Sequence, residues 1–356
     1  MGRFGVIRLM DISEQDEPTD EHVMSLPESF SISIDGWTTG DEVDARAFAN
    51  SLLNLTRELS TILDLSRLKA LIVTTDYNAA TASTSHGELV GPGEPTDNEY
   101  GTGLAMARNV IIDEDIWSEV VIYVGLVQNI FSQGHESQPA SLLTFVHELR
   151  HVHDTRVFSR SYPGGWQSAL PRDGRDRNLQ PIVNPLQSEY CAQRAAAWAA
   201  PADGLHLINM LEGPLRDLEE QMEAARTAFF VHDNLELFWE SVAGRLKFLF
   251  QCLGYALGHY DYIEQNIDEH PALYEEYRQR LDALKNLPSG WLIEASQKSV
   301  EPFWSLDAWT GMEIYDEVEG ILERLLNGFG VRTSVWEHGI WIEVDREWTG
   351  AGESAD

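Results

Sequence analysis

The run His147-Glu148-Leu149-Arg150-His151 constrains the fold more than any other stretch of this chain. Two histidines four residues apart fall on one face of a helix, a single turn from each other. That spacing lets both imidazoles reach one zinc ion through Zn–N bonds of ~2.1 Å. The glutamate after the first histidine then stands beside the ion, where it can take a proton from a water. The surroundings agree with a helix. Leu142, Leu143, Phe145, Val146, Leu149 and Val152 flank the histidines, and Pro139 suits a first helical position, where its missing N–H costs nothing.

A zinc ion used in catalysis has three protein ligands and an open position, so a third ligand is needed. Asp154 lies on the same helix face, but an unbroken helix carries it ~10 Å along the axis from His147. It fits better as an acceptor behind a ligand or as a helix-end feature. His153 points to another face. Glu189 lies further along, in a helical stretch that could cross the first helix, and it is the preferred third ligand. The ordinary alternative for Glu189 is a surface carboxylate near a helix N-terminus, favoured by the dipole.

Composition narrows the partners. The net charge is −33, from 58 acids against 25 bases, and only four bases are lysine. A field of that sign repels nucleic acid and anionic membrane. It favours solubility and could select a basic partner. Two cysteines, Cys191 and Cys252, fit a reducing compartment, and Cys191 reads as core packing. The N-terminal stretch shows no apolar run of signal-peptide length, and the longest apolar run, Val120 to Phe131, is too short to span a bilayer, so a cytoplasmic location is expected.

Periodicity predicts strands at Phe4–Met10, Phe30–Ile34, Leu68–Thr74 and Leu104–Ile112, and a hairpin from Val331–Trp336 and Ile340–Val344 about Glu337-His338-Gly339. Helices are expected over Asp41–Leu65, the stretch after Pro139, a segment starting at Asn184-Pro185, and Leu215–Val231 and Leu235–Asn266, while Asp115–Phe131 fits a helix or a buried strand, with helix favoured on length. Asp11–Glu21 and Asn78–Tyr100 read as loops. Asp154–Asn184 reads as a long connection bearing Arg156, Arg160, Arg172, Arg175 and Arg177, which would pair with nearby acids, bind a carboxylate or form a lid. Trp304, Trp309, Trp336, Trp341 and Trp348 read as core and hairpin packing.

With Ser188-Glu189-Tyr190-Cys191-Ala192 added to the histidine motif, the region from about 100 to 200 resembles the zincin metallopeptidases of the gluzincin type. There, HExxH is followed by a helix that supplies a glutamate. The resemblance implies a zinc hydrolase acting on a protein or peptide, with His147, His151 and Glu189 as ligands and Glu148 as general base. It also implies that substrate lies antiparallel along an edge strand, for which Leu104–Ile112 is the candidate. Small residues after the glutamate, Ala192 and Ala195 to Ala197, suit close helix packing. Thermolysin-like enzymes place an aspartate four residues after the glutamate to orient a zinc ligand; here that position is Gln193, whose carbonyl could accept an imidazole N–H more weakly. Tyr162, His232, His259 and Tyr260 are the candidates for stabilising a tetrahedral intermediate.

The expected fold is α+β: a zincin-like core with a small mixed sheet (1–203), a helical region (204–300), and a C-terminal segment (301–356) whose hairpin could pack on the N-terminal sheet. HExxH arises by chance in a few per hundred chains of such composition, by order of magnitude. The competing function is therefore a non-proteolytic zinc-containing scaffold that binds a basic partner through its acidic surface.

Overall fold

The buried run Leu68–Thr74 and the strand Asp115–Tyr123 form the centre of the sheet, shielded on both faces. A computed structural model describes residues 24–37, 40–84, 86–90, 97–98, 101–161, 171–305, 311–336, 339–346 and 348. The expected strand Phe4–Met10, the loop Asp11–Glu21, Tyr162 and Trp309 lie outside the described residues. In chain order the first elements are β1 (Ser31–Asp35), α1 (Glu42–Leu59), β2 (Leu68–Thr74), α2 (Tyr77–Thr81), β3 (Glu88–Leu89), β4 (Asp97–Asn98) and β5 (Gly101–Thr102). They continue with β6 (Ala105–Ile112), β7 (Asp115–Tyr123), α3 (Val124–Phe131), α4 (Gln138–Ser161) and α5 (Gly174–Ala196). The remainder is α6 (Gly204–His232), α7 (Leu235–Gln265), α8 (Pro271–Leu284), α9 (Trp291–Trp304), α10 (Asp316–Gly328), β8 (Val331–Trp336) and β9 (Gly339–Val344). The class is α+β.

The five-stranded sheet has the order β1-β2-β7-β6-β3. β1, β2 and β7 are parallel, and β6 runs antiparallel to β7. The short β3 pairs with Val110 and Ile111 of β6, and among the described residues no strand pairs with the start of β6 on that side. One core joins this sheet to α1, α3 and α4 through Leu52, Leu71, Val120, Phe145 and Leu149. A second core joins α5 to α6 through α10 and the hairpin, around Tyr190, Leu215, Leu253, Tyr277 and Leu322. The metal-type residues stand at the seam between the two. Among the described residues no helix is long and apolar enough to cross a membrane.

Several sequence expectations change. Asp115–Phe131 is not one helix but the strand β7 followed by α3. The turn into β7 is Asp113-Glu114, both with positive φ (51° and 65°), the two-residue geometry that matches hairpin twist. No glycine marks it, and an apolar run of that length leaves helix and buried strand undecided. The connection 154–184 is also mostly helical. α4 continues to Ser161, and α5 begins at Gly174, capped by Asp173, whose Oδ1 accepts the N–H groups of Arg175 and Asp176 at 2.8 and 3.1 Å. Pro181 and Pro185 lie inside α5, so Asn184-Pro185 is not a helix start. Each interior proline costs a helix ~3 kcal/mol, and burial of Leu179, Ile182, Val183 and Leu186 in the second core offsets this.

The stretch 78–100 holds α2 and the short β3 and β4, not loop alone. The hairpin β8–β9 forms its own two-stranded sheet, packed against α5 and α10 rather than paired with β1. Trp336 and Trp341 on that hairpin are exposed and lie outside both cores. Trp304 and Trp348 do pack, beneath arginine guanidinium groups.

Candidate metal centre

α4 turns Phe145, Val146, Leu149 and Val152 into the first core and leaves His147, Glu148 and His151 facing α5 and α7. Across from them, α5 presents Ser188, Glu189 and Gln193 on one face. Glu189 Oε2 lies 2.9 Å from His147 Nε2 and 3.5 Å from His151 Nε2, and the two Nε2 atoms are 3.1 Å apart. Tetrahedral ligands ~2.1 Å from a shared ion would stand about 3.4 Å apart. The three donor atoms therefore already surround a position an ion can take.

The far nitrogens of both rings are anchored on α5. His147 Nδ1 is 3.2 Å from Gln193 Oε1, and His151 Nδ1 is 3.1 Å from Ser188 Oγ. Ser188 was not singled out from the sequence, although its place one residue before Glu189 puts it near the other histidine. Asp154 is not behind a ligand: its Oδ1 accepts the Nε–H of Arg150 at 2.8 Å. Arg150 and Arg194 in turn stack on Trp304, bracing α4 and α5 from the rear. His153 faces away and accepts the Asp64 N–H at 2.8 Å.

Charges set the protonation of the metal-free site. Burial by itself disfavours the Glu189 carboxylate, but hydrogen bonds from His147 and His151 outweigh it and hold the group far below the usual carboxylate range. Burial likewise opposes a charged His151, yet the hydrogen bond and charge of Glu189 push it up to about 9. Cys191 is buried in the second core, and burial pushes its thiol up to about 12, as packing and not reactivity requires.

α7 closes the other side, held close to α5 by two glycines. A Cβ at Gly254 would stand 2.7 Å from the Leu186 carbonyl and 2.9 Å from Glu189 Cβ, and one at Gly258 would collide with the Tyr190 carbonyl. This approach brings in Gln251 and Tyr255. Gln251 Nε2 donates to Glu189 Oε1 at 3.2 Å and to the Tyr255 hydroxyl at 2.9 Å. Burial, reinforced by the Glu189 and Glu148 charges, raises the Tyr255 phenol well above its ordinary value, so it remains an O–H donor.

Tyr255 is thus the phenol in the cleft, and the sequence-derived alternatives lie elsewhere. His232 ends α6 in solvent, His259 is buried behind Gln193, and Tyr260 donates to Glu264 at 3.1 Å.

His147, Glu148, His151, Glu189, Gln251 and Tyr255 border an open cleft of about 420 Å³ between the start of β6 and helices α6 and α7. Its walls include Leu143, Leu207, Met210 and Phe248. Ala107 donates its N–H to Glu148 Oε2 at 2.6 Å. Leu104 bonds to β7 through Tyr123, whereas the carbonyl of Asn109 accepts from Val90 on the other side, so Ala105 and Ala107 turn their backbone groups toward the cleft.

A second group of carboxylates, Asp176, Asp316 and Glu319, clusters at the start of α5. Arg172 and Arg175 already occupy it, pairing with all three and with Glu323. The basic residues at 172 and 175 therefore tie α5 to α10. The middle of the Arg-rich connection, residues 162–170, lies outside the described residues. No protein-family model, curated protein or solved structure matches the chain.

Proposed function

We propose that this chain is a zinc-dependent metallopeptidase of the gluzincin type, with His147, His151 and Glu189 as ligands and Glu148 as general base. One observation carries the reading: two imidazole nitrogens and a carboxylate oxygen converge within 4.8 Å of one another, and Glu148, from the same turn of α4, faces the same cleft. Two nitrogens and one carboxylate suit a catalytic ion with an open position better than a closed structural one, which takes four protein ligands.

When bound, zinc would polarise a carbonyl oxygen and acidify a water. The residues of the chain do the rest. Gln193 and Ser188 accept the Nδ1 protons of the two histidines and leave both Nε2 atoms bare. Glu148, held at Oε2 by Ala107, accepts a proton at Oε1 and passes it to the departing amine. Tyr255, whose oxygen already accepts from Gln251, keeps its own proton to donate to a developing oxyanion. The open backbone of Ala105 suits an extended peptide laid beside β6, and the apolar walls suit a peptide side chain.

The test is to measure zinc bound by the purified chain and to compare it with Glu148→Gln on a broad peptide library. Stoichiometric zinc in both, with cleavage only by the parent, is the expected result. A parent without zinc sinks the reading. Equal cleavage by both proteins removes Glu148 as base. Zinc without any cleavage, together with salt-sensitive capture of basic proteins, would favour the scaffold instead.

A further inference from the structure

The amide of Gln193 can serve His147 in only one of its two orientations. With Oε1 toward Nδ1 it accepts the imidazole proton, and a neutral ring then has its Nε2 bare. Turned over, its NH2 would face Nδ1, which must then accept and carry the ring proton on Nε2, the nitrogen a metal needs. A carboxylate has no wrong orientation; an amide must be held.

His259 on α7 is positioned to hold it. Gln193 Nε2 lies 2.9 Å from His259 Nδ1, and His259 Nε2 lies 2.9 Å from the Pro201 carbonyl. A carbonyl only accepts, so the His259 proton is on Nε2 and its Nδ1 is bare. Gln193 must then donate to His259 and accept from His147. The bonds run one way: His147 Nδ1–H to Gln193, Gln193 N–H to His259, His259 Nε2–H to Pro201. Reversing any one link sets donor against donor or acceptor against acceptor.

The surroundings leave the imidazole little freedom. His259 has no exposed surface, and burial pushes it down to about 4, which keeps it neutral. Tyr277 stacks edge-on to it and also donates to the Pro201 carbonyl. Gly204 makes the space, because a side chain there would collide with both rings.

We propose that His259 is a positioning residue: by locking the Gln193 amide it fixes the His147 tautomer that leaves Nε2 free for the metal. This rests on the metal reading above, and its readout is metal affinity, not hydrolysis.

The experiment is a double-substitution cycle on the full chain, read as Zn2+ dissociation constants by competition with a chromophoric chelator. His259→Leu frees the amide to turn, and affinity falls about 10–100-fold, as for loss of an outer partner of a metal ligand. Gln193→Glu supplies an isosteric carboxylate that accepts from His147 either way round. In that background His259→Leu changes affinity by no more than about twofold, the scatter of independent sites. Equal losses in both backgrounds, or no loss in either, overturn the proposal. Should the leucine variant fail to fold, His259→Asn decides, because its Oδ1 accepts near the position of Nδ1. It retains affinity within about twofold of the parent, and a loss at the lower end of the 10–100-fold range overturns the lock. A parent that binds zinc and shows the cycle but cleaves no peptide counts against the proposed reaction alone. A parent that binds no zinc ends both.

Discussion

Glu148 Oε2 accepts the backbone N–H of Ala107 at 2.6 Å, which ties the acid on α4 to the open strand β6. Strand position and carboxylate orientation are therefore coupled. Ala107→Pro removes the donor, and proline is tolerated on an edge strand whose N–H does not pair with a neighbour. If Glu148 works as proposed, peptide cleavage falls roughly 10–100-fold through misplacement of its carboxylate, while zinc content is unchanged. Steady-state kinetics beside metal analysis check this, and an unaltered kcat would show that the bond is not needed.

Glu189 joins both histidines from a second helix. Glu189→Ala should weaken zinc binding beyond the roughly 10–100-fold typical of an outer partner. It should also return metal-free His151 from about 9 toward an ordinary imidazole value, because Glu189 supplies the hydrogen bond and the leading charge that raise it. NMR titration of His151 reads the second effect separately from the first.

The raised His151 value has a pH signature. Metal needs the unprotonated ring, so a proton must leave His151 on binding. Below about pH 9 the apparent zinc affinity should fall close to tenfold per unit of pH, and above it the dependence should flatten. For the metal-free fold the sign is opposite. This contribution to stability is complete below the unfolded imidazole value of about 6.5 and is lost as pH rises through about 9. Chelator competition across pH, and denaturation of the metal-free chain, give the two slopes.

The close approach of α5 and α7 depends on glycine at particular sites. Gly258→Ala forces a Cβ against the Tyr190 carbonyl and within 3.0 Å of the Arg194 nitrogen. It should destabilise by about 1–3 kcal/mol. Gly244→Ala, on the same helix with nothing within 4 Å, should instead stabilise by up to about 1 kcal/mol. Denaturation midpoints of the pair check this, and the same sign for both would refute it.

With a net charge of −33, self-repulsion should weaken the fold at low ionic strength. Raising salt from about 0.01 to 1 M shortens the screening length from about 30 to 3 Å and should raise the melting temperature. A melting temperature that does not move with salt would show that the charges are spaced beyond mutual influence.

How much was legible in the chain differs by element. Helices α1, α6 and α7, strands β2 and β6 and the terminal hairpin follow from periodicity, because their apolar positions repeat at one clear period. β7 is hidden from periodicity because it is buried on both faces and alternates weakly, and the start of α5 because its two interior prolines resemble a helix start. Of the residues around the donor cluster, spacing marks His147, Glu148 and His151, the need for a third ligand points to Glu189, and Gln193 follows from the gluzincin resemblance. Ser188, Ala107, Gln251 and Tyr255 carried no local signal, since each is an ordinary residue until another element is packed against it.

The sequence by itself determined that two imidazoles and a carboxylate share one turn of helix, because α-helical geometry is local and needs no partner. Only the tertiary structure decided that Glu189 lies 2.9 Å from His147 and that Tyr255 enters the cleft. Only it set Gln193 between His147 and His259. Those relations span separations of 42 to 66 residues. They depend on how closely α4, α5 and α7 pack, which the glycines permit and the two cores enforce.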